Sequence, residues 1–150
     1  TIRAVPKPVI AAVEGSCAGA GFSLALACDF IVAANNAVFV MAYSGVGLSP
    51  DGGGSWSLAR ALPRATVMQL LMLGERASPD RLLQFGVVNA VVDAGEAPAQ
   101  ALALAERLNA RAPNALASIK ELVNEATDAA LHTHLKAERD HFVRNLHHPN

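Results

Sequence analysis

At 150 residues, with 52% of them apolar and only 17% charged, the chain has enough material for one buried core and too little charge for disorder. A formal net charge of −1 leaves no electrostatic footprint for nucleic acid or an anionic membrane surface. No apolar run reaches membrane-spanning length, no leader is expected before the first strand, and the two cysteines stand in no metal or redox spacing. The expectation is a cytoplasmic protein with no nucleic-acid or membrane partner, no metal site, and Cys17 and Cys28 as buried thiols.

In chain order, Pro8 opens the apolar run Val9-Ile10-Ala11-Ala12-Val13, which stops at Glu14-Gly15. A short run without alternation reads as a strand covered on both faces. Gly19-Ala20-Gly21 then makes a tight turn into a helix over 22–28. Two short strands, 30–33 and 37–40, flank Asn35-Asn36, read as a tight turn. After Met41 the chain is irregular, with Gly45, Gly47, Pro50 and Gly52-Gly53-Gly54, a loop that allows close backbone approach.

Helices follow at about 55–61, 65–73 and 79–84, the last with Ser78 as N-cap and Pro79 in the first helical position. A strand is expected over 87–92. The remainder is helical, with Ala101, Leu104, Ala105 and Leu108 on one face and Leu116, Ile119, Val123 and Ala126 on another. Ala-rich helices with few aromatics suit faces covered by other subunits. Strands first and long helices later indicate a mixed α/β core over 1–95 and a helical section over 96–150.

The chemistry-bearing segment is Lys7-Pro8-Val9-Ile10-Ala11-Ala12-Val13-Glu14-Gly15, continued by Gly19-Ala20-Gly21 and Leu24-Ala25 to Cys28-Asp29. A glycine turn at a helix start presents unpaired N–H groups and the positive helix end, which favour an oxygen gaining negative charge. By itself such a turn equally serves tight strand–helix packing.

This stretch closely resembles the signature of the crotonase (enoyl-CoA hydratase/isomerase) superfamily. The resemblance continues through Phe39, Gly47, Pro50, Gly53-Gly54, Gly74, Ala77-Ser78, Gly86-Val87-Val88 and Val92 to about Lys120. It implies an α/β fold, a crotonase-type spiral of ββα units with a helical C-terminal section. It further implies an acyl-CoA thioester substrate, no cofactor beyond the coenzyme A carried by that substrate, and a homotrimer or dimer of trimers. One oxyanion-hole amide of the family falls on Ala20, between Gly19 and Gly21; an alanine keeps the N–H if its φ is negative. The other amide and much of the CoA pocket belong in the family to an earlier segment, and a final helix normally follows. The chain is therefore expected to lack family segments at both ends.

Hydratases of the family add water with two glutamates. The matching positions here are Ser23 and Tyr43, neither a carboxylate, so the two-glutamate mechanism is not available. Asp51, in Gly47-Leu48-Ser49-Pro50-Asp51-Gly52-Gly53-Gly54, stands where a carboxylate could compensate. Tyr43 through Asp51, with Ser55-Trp56, resembles the phenylacetate-pathway isomerase branch; haloaryl-CoA dehalogenases and naphthoyl-CoA synthases also place an aspartate here. One buried aspartate can remove a proton from one carbon and return it at another while the oxyanion hole holds the dienolate.

The expected catalytic groups are thus Asp51 and Ala20, with Gly19, Gly21, Ser23, Tyr43, Leu48, Pro50 and Gly52 around the substrate. Pro-Asp-Gly is also a favoured turn or N-cap sequence, the plain alternative for Asp51. Ser23 reads as a small space-maker, Tyr43 as a pocket wall or hydrogen-bond donor, and Trp56 as core. His132 and His134 lie two apart, off a common helix face, and no role is assigned to Arg60, Arg64 or Lys120. The leading activity is enoyl-CoA isomerisation. The alternatives are hydratase-type or aryl-CoA chemistry, or a non-catalytic acyl-CoA-binding subunit.

Overall fold

The computed structural model of the chain describes residues 1–149; Asn150, the last residue of the section expected at 96–150, lies outside the described residues. Two units are present, Val9–Ala103 and Thr1–Pro8 with Leu104–Asn150. The first holds β1 (Ile10–Val13), β2 (Ser16–Ala18), α1 (Ala20–Ala27), β3 (Phe30–Ala34) and β4 (Val38–Val40). A 3₁₀ turn at Tyr43–Val46 follows, then α2 (Gly54–Ala61), α3 (Arg64–Met72), α4 (Pro79–Gln84) and β5 (Ala90–Val92). Helix α5 (Ala97–Asn109) begins in this unit.

The strands alternate between two parallel sheets. One has the order β1-β3-β5, and β2 pairs with β4 in the other. In register, Ala12 lies beside Val32 and Val32 beside Ala90, while Cys17 lies beside Phe39. Parallel neighbours require crossovers, so each turn of the chain adds one strand to each sheet and then a helix. This is the expected spiral of ββα units.

The sequence misplaces some of these elements. Asn35-Asn36 does turn the chain, with Ala37 N–H donating to Ala34 C=O at 3.0 Å, but it passes β3 into the other sheet and no hairpin forms. Strand β2 was not expected, because three residues carry no period. The strand expected at 87–92 starts only at Ala90: Val87 and Val88 N–H both donate to Leu82 C=O and finish the turn after α4. Within this unit β1 is an edge strand with Ala12 exposed; the strand covered on both faces is β3, where Ile31 to Ala34 are all buried.

Helices α2, α3 and α4 begin within one residue of expectation, and the Ser78 Oγ does accept from Arg81 N–H at 3.1 Å. The core is built on Phe22, Phe39, Met41, Leu58 and Leu82. The Phe22 and Phe39 rings, 5.1 Å apart and tilted, lock α1 onto β4, an arrangement adding roughly 0.5–1.5 kcal/mol beyond the area buried.

Two acidic residues of the signature segment hold backbone. Asp29 Oδ2 accepts from Val9 N–H at 2.8 Å at the start of β1. The Glu14 carboxylate accepts from Gly95 N–H at 2.7 Å and Ala97 N–H at 2.9 Å, satisfying two orphan donors where α5 begins.

In the second unit, α6 (Pro113–Ala126) and α7 (Leu131–Leu146) pack against each other. Lys120 Nζ donates to the carbonyls of Ile2 and Lys7, and Asn124 Nδ2 to that of Arg3, which ties the first residues to α6. Buried His141 on α7 meets the Ser118 Oγ of α6 at 2.9 Å. The α5 face of Ala101, Leu104, Ala105 and Leu108 is half-buried throughout, as its period predicts. The α6 face is not: Ile119 and Val123 are exposed, and Ser118 is the buried residue. Leu131, Leu135, Phe142 and Leu146 of α7 are exposed as well. No described helix is long and apolar enough to cross a membrane.

Candidate active site

The site lies wholly within the first unit and starts at Gly19. This residue has φ +53° and ψ −118°, a conformation a side chain would strain, and its N–H donates to Val40 C=O at 2.9 Å. Its carbonyl receives the first bond of α1, from Ser23 N–H at 3.0 Å. The intervening amide, Ala20 N–H, stands at the first helical position and has no hydrogen-bond partner among the described residues. No described non-glycine residue has a positive φ, so the alanine sits there without strain. An open amide at a helix start with the positive dipole behind it is a ready anion contact.

Asp51 reaches the same turn from the glycine-rich loop. The Tyr43 hydroxyl donates to Asp51 Oδ1 at 2.7 Å, and a Cβ placed on Gly19 would stand 3.2 Å from that hydroxyl oxygen. Tyr43 thus occupies the gap between the residue before the open amide and the carboxylate. The hydrogen bond it donates to the Asp51 carboxylate holds the phenol above the ordinary tyrosine range, and desolvation adds to the effect. Ser23 Oγ, buried beneath, donates to the Asp51 main-chain carbonyl at 2.8 Å. Tyr43 and Ser23 therefore both hold Asp51, the first by its carboxylate and the second by its main-chain carbonyl.

The loop is shaped for this. Asp51 C=O accepts from Gly54 N–H at 3.1 Å, closing a turn through Gly52 and Gly53. The N-cap of α2 is Gly53, with no side-chain cap bond, so the Asp51 carboxylate does not serve as a helix cap. Its second oxygen, Oδ2, has no partner among the described residues. A Cβ on Gly52 would come within 3.0 Å of the Ser23 Cβ, so the loop closes directly on Ser23.

Several residues sit otherwise than expected. Asp51 is exposed in this chain instead of buried, held by hydrogen bonds and not by packing. Ser23 is a hydrogen-bond donor as well as a small filler, and Tyr43 is a donor to Asp51 more than a wall. Trp56 is not core: its ring is exposed, with the Arg60 guanidinium 3.8 Å above it. Cys17 is buried, which pushes its thiol up to about 11, but Cys28 is only half-buried, its Sγ 3.4 Å from the Leu24 carbonyl. Leu48 is exposed and Pro50 half-buried on the loop, and the space around Gly21 is open. Lys120 is engaged with main-chain carbonyls. No group of three His, Cys, Asp or Glu among the described residues is placed to hold a metal ion. The Tyr43–Asp51 bond was the feature missed, although a tyrosine eight residues before a lone loop carboxylate could have suggested it.

Residues 1–150 match the enoyl-CoA hydratase/isomerase family. The chain belongs to that family. It is 43% identical over 137 residues to the 1,2-epoxyphenylacetyl-CoA isomerase of Escherichia coli (strain K12), covering 91% of this chain and 52% of that protein. It is 45% identical over 122 residues to the carnitinyl-CoA dehydratase of Salmonella heidelberg (strain SL476), covering 81% and 47%. The chain spans about half the length of the curated relatives it matches. Among solved structures, an enoyl-CoA hydratase from Polaromonas sp. JS666 superposes with a TM-score of 0.98 at 71% identity, covering 99% of this chain and 58% of that one. The alternating two-sheet spiral is the fold of this enoyl-CoA hydratase/isomerase family, and both relatives named above carry CoA thioesters in their names.

Proposed function

We propose that the full-length protein is an enoyl-CoA isomerase in which Asp51 shuttles a proton and the Ala20 N–H stabilises the thioester oxygen. The observation that carries this reading is the placement of one carboxylate. Asp51 Oδ1 is tied by Tyr43, Oδ2 is open, and no second carboxylate stands at the positions matching the hydratase glutamates. Hydration needs one group to deliver water and another to protonate carbon, whereas a 1,3-proton shift needs one base used twice. The name of the Escherichia coli relative supports the same branch.

In this reading the substrate is an acyl-CoA thioester bound with no further cofactor. Gly19, Gly21, Ser23, Tyr43, Leu48, Pro50 and Gly52 surround its acyl part, and the protein acts in the cytoplasm. The exposed apolar residues of α6 and α7 support assembly as a homotrimer or dimer of trimers. A second reading, hydration or dehydration through other groups, is favoured by the names of the Salmonella and Polaromonas proteins.

Product analysis separates them. The full-length protein, given a 3-enoyl-CoA, is expected to yield the 2-enoyl-CoA with no 3-hydroxyacyl-CoA. Rapid formation of 3-hydroxyacyl-CoA from the 2-enoyl-CoA would support the second reading, and no turnover of either thioester would leave a binding subunit.

A further inference from the structure

We propose that Tyr43 is a positioning residue that commits Asp51 Oδ1 and leaves Oδ2 as the single oxygen that takes up and returns the proton. The inference rests on the reading of Asp51 as the proton-transferring base and adds what keeps that transfer internal. A carboxylate on a loop followed by Gly52 and Gly53 has little of its own to fix it. Two contacts supply the missing constraint: Tyr43 Oη on Oδ1 at 2.7 Å and Ser23 Oγ on the backbone carbonyl at 2.8 Å. One holds χ rotation and the other holds the main chain, so the free oxygen keeps one direction.

The same hydroxyl stands against Gly19, 3.2 Å from where its Cβ would be, and the next amide along is the open Ala20 N–H. Tyr43 therefore fixes the spacing between the carboxylate and the amide that faces the thioester oxygen. A misplacement of about 1 Å in such a pair costs on the order of 10²-fold in rate.

The proton balance is simple. Oδ2 takes the proton from the substrate's α carbon, the C–H electron pair enters the dienolate, and the negative charge gathers on the thioester oxygen at Ala20 N–H. The same proton then returns from Oδ2 to the γ carbon, a new C–H bond forms, and the double bond moves into conjugation. Tyr43 keeps its own proton throughout, which its upward-shifted phenol favours. If both carboxylate oxygens were free to turn, the protonated oxygen would swing away from the γ carbon, and the proton would have longer to exchange with water before its return.

The test uses the full-length protein and a 3-enoyl-CoA labelled with deuterium at the α carbon. Tyr43→Phe removes one hydroxyl from a half-buried ring, and a thermal melt checks that the fold stands. The expected result is a kcat lowered about 10- to 100-fold, in line with a displaced base, KM nearly unchanged, and less deuterium carried to the γ carbon than in the unaltered protein. Unchanged kcat and unchanged label transfer would overturn the inference. So would a raised KM with kcat intact, which would make Tyr43 a pocket wall, or a lowered kcat with label transfer unaltered. Asp51→Asn run alongside separates the two readings. Loss of turnover there with full activity in Tyr43→Phe removes the Tyr43 inference alone; retained turnover in Asp51→Asn removes the isomerase reading beneath it.

Discussion

A Cβ on Gly54 would stand 2.7 Å from Ser23 Oγ and 2.7 Å from the Met41 Cε. The first turn of α2 thus rests on the side chain that also holds the Asp51 carbonyl. An alanine at position 54 would force Met41 Cε and Ser23 Oγ to shift, and both side chains are buried, at 2% and 1% exposure.

Gly54→Ala is the direct probe of that contact. Replacing glycine with alanine at a helix start can stabilise by about 0.4–1 kcal/mol through the unfolded state. Overpacking a closed site costs about 1–3 kcal/mol, so the loss should win. The expected outcome is a lower denaturant midpoint at unchanged slope. A variant as stable as the parent would mean that Met41 and Ser23 yield freely.

Glu14 offers a second stability test, remote from the Tyr43–Asp51 pair. Its two carboxylate oxygens each accept one backbone N–H at the head of α5, and Glu14→Ala strands both donors. The expected cost is about 1–2 kcal/mol, the usual worth of a lost cap. Glu14→Gln keeps one acceptor and should lose less. Equal melting temperatures for all three proteins would show the cap to be idle.

The cysteines should separate chemically. Burial raises the Cys17 thiol to about 11, so in the folded chain it holds its proton where an unfolded cysteine, near 8.5, begins to lose it. The sign follows: this stabilisation is complete below the unfolded value and is lost as pH rises through about 11. At pH near 8, iodoacetamide should modify half-buried Cys28 first and reach Cys17 only after unfolding. Equal labelling of both in the native state would contradict the buried placement.

What the sequence made legible follows from how local each signal is. Helices α2, α3 and α4 were readable because caps such as Ser78-Pro79 and a 3.6-residue period lie within the segment itself. The pairing of β1 with β3 and of β2 with β4 was not, since an apolar run does not contain its partner, and Asn35-Asn36 fits a hairpin turn as well as a step between sheets. The open amide at Ala20 was readable from glycine on either side of a helix start. The Tyr43–Asp51 bond joins a 3₁₀ turn to a loop eight residues on, and no periodicity carries such a contact. Ile119 and Val123 share an apolar face by period, yet period cannot say what covers that face; among the described residues both stay more than half exposed.

The central claim is that Asp51 moves the proton, and Asp51→Asn in the full-length protein tests it most directly. Asparagine keeps the size and can still accept from Tyr43 Oη through its amide oxygen, so the loop should hold its shape while the base is removed. The 3-enoyl-CoA to 2-enoyl-CoA conversion should fall by about 10²–10⁴-fold, the usual worth of a positioned acid/base. KM should stay within about twofold, because a group acting only in the transition state lowers kcat and kcat/KM together. Turnover equal to that of the unaltered protein would contradict the account, leaving Asp51 as the turn former of its loop.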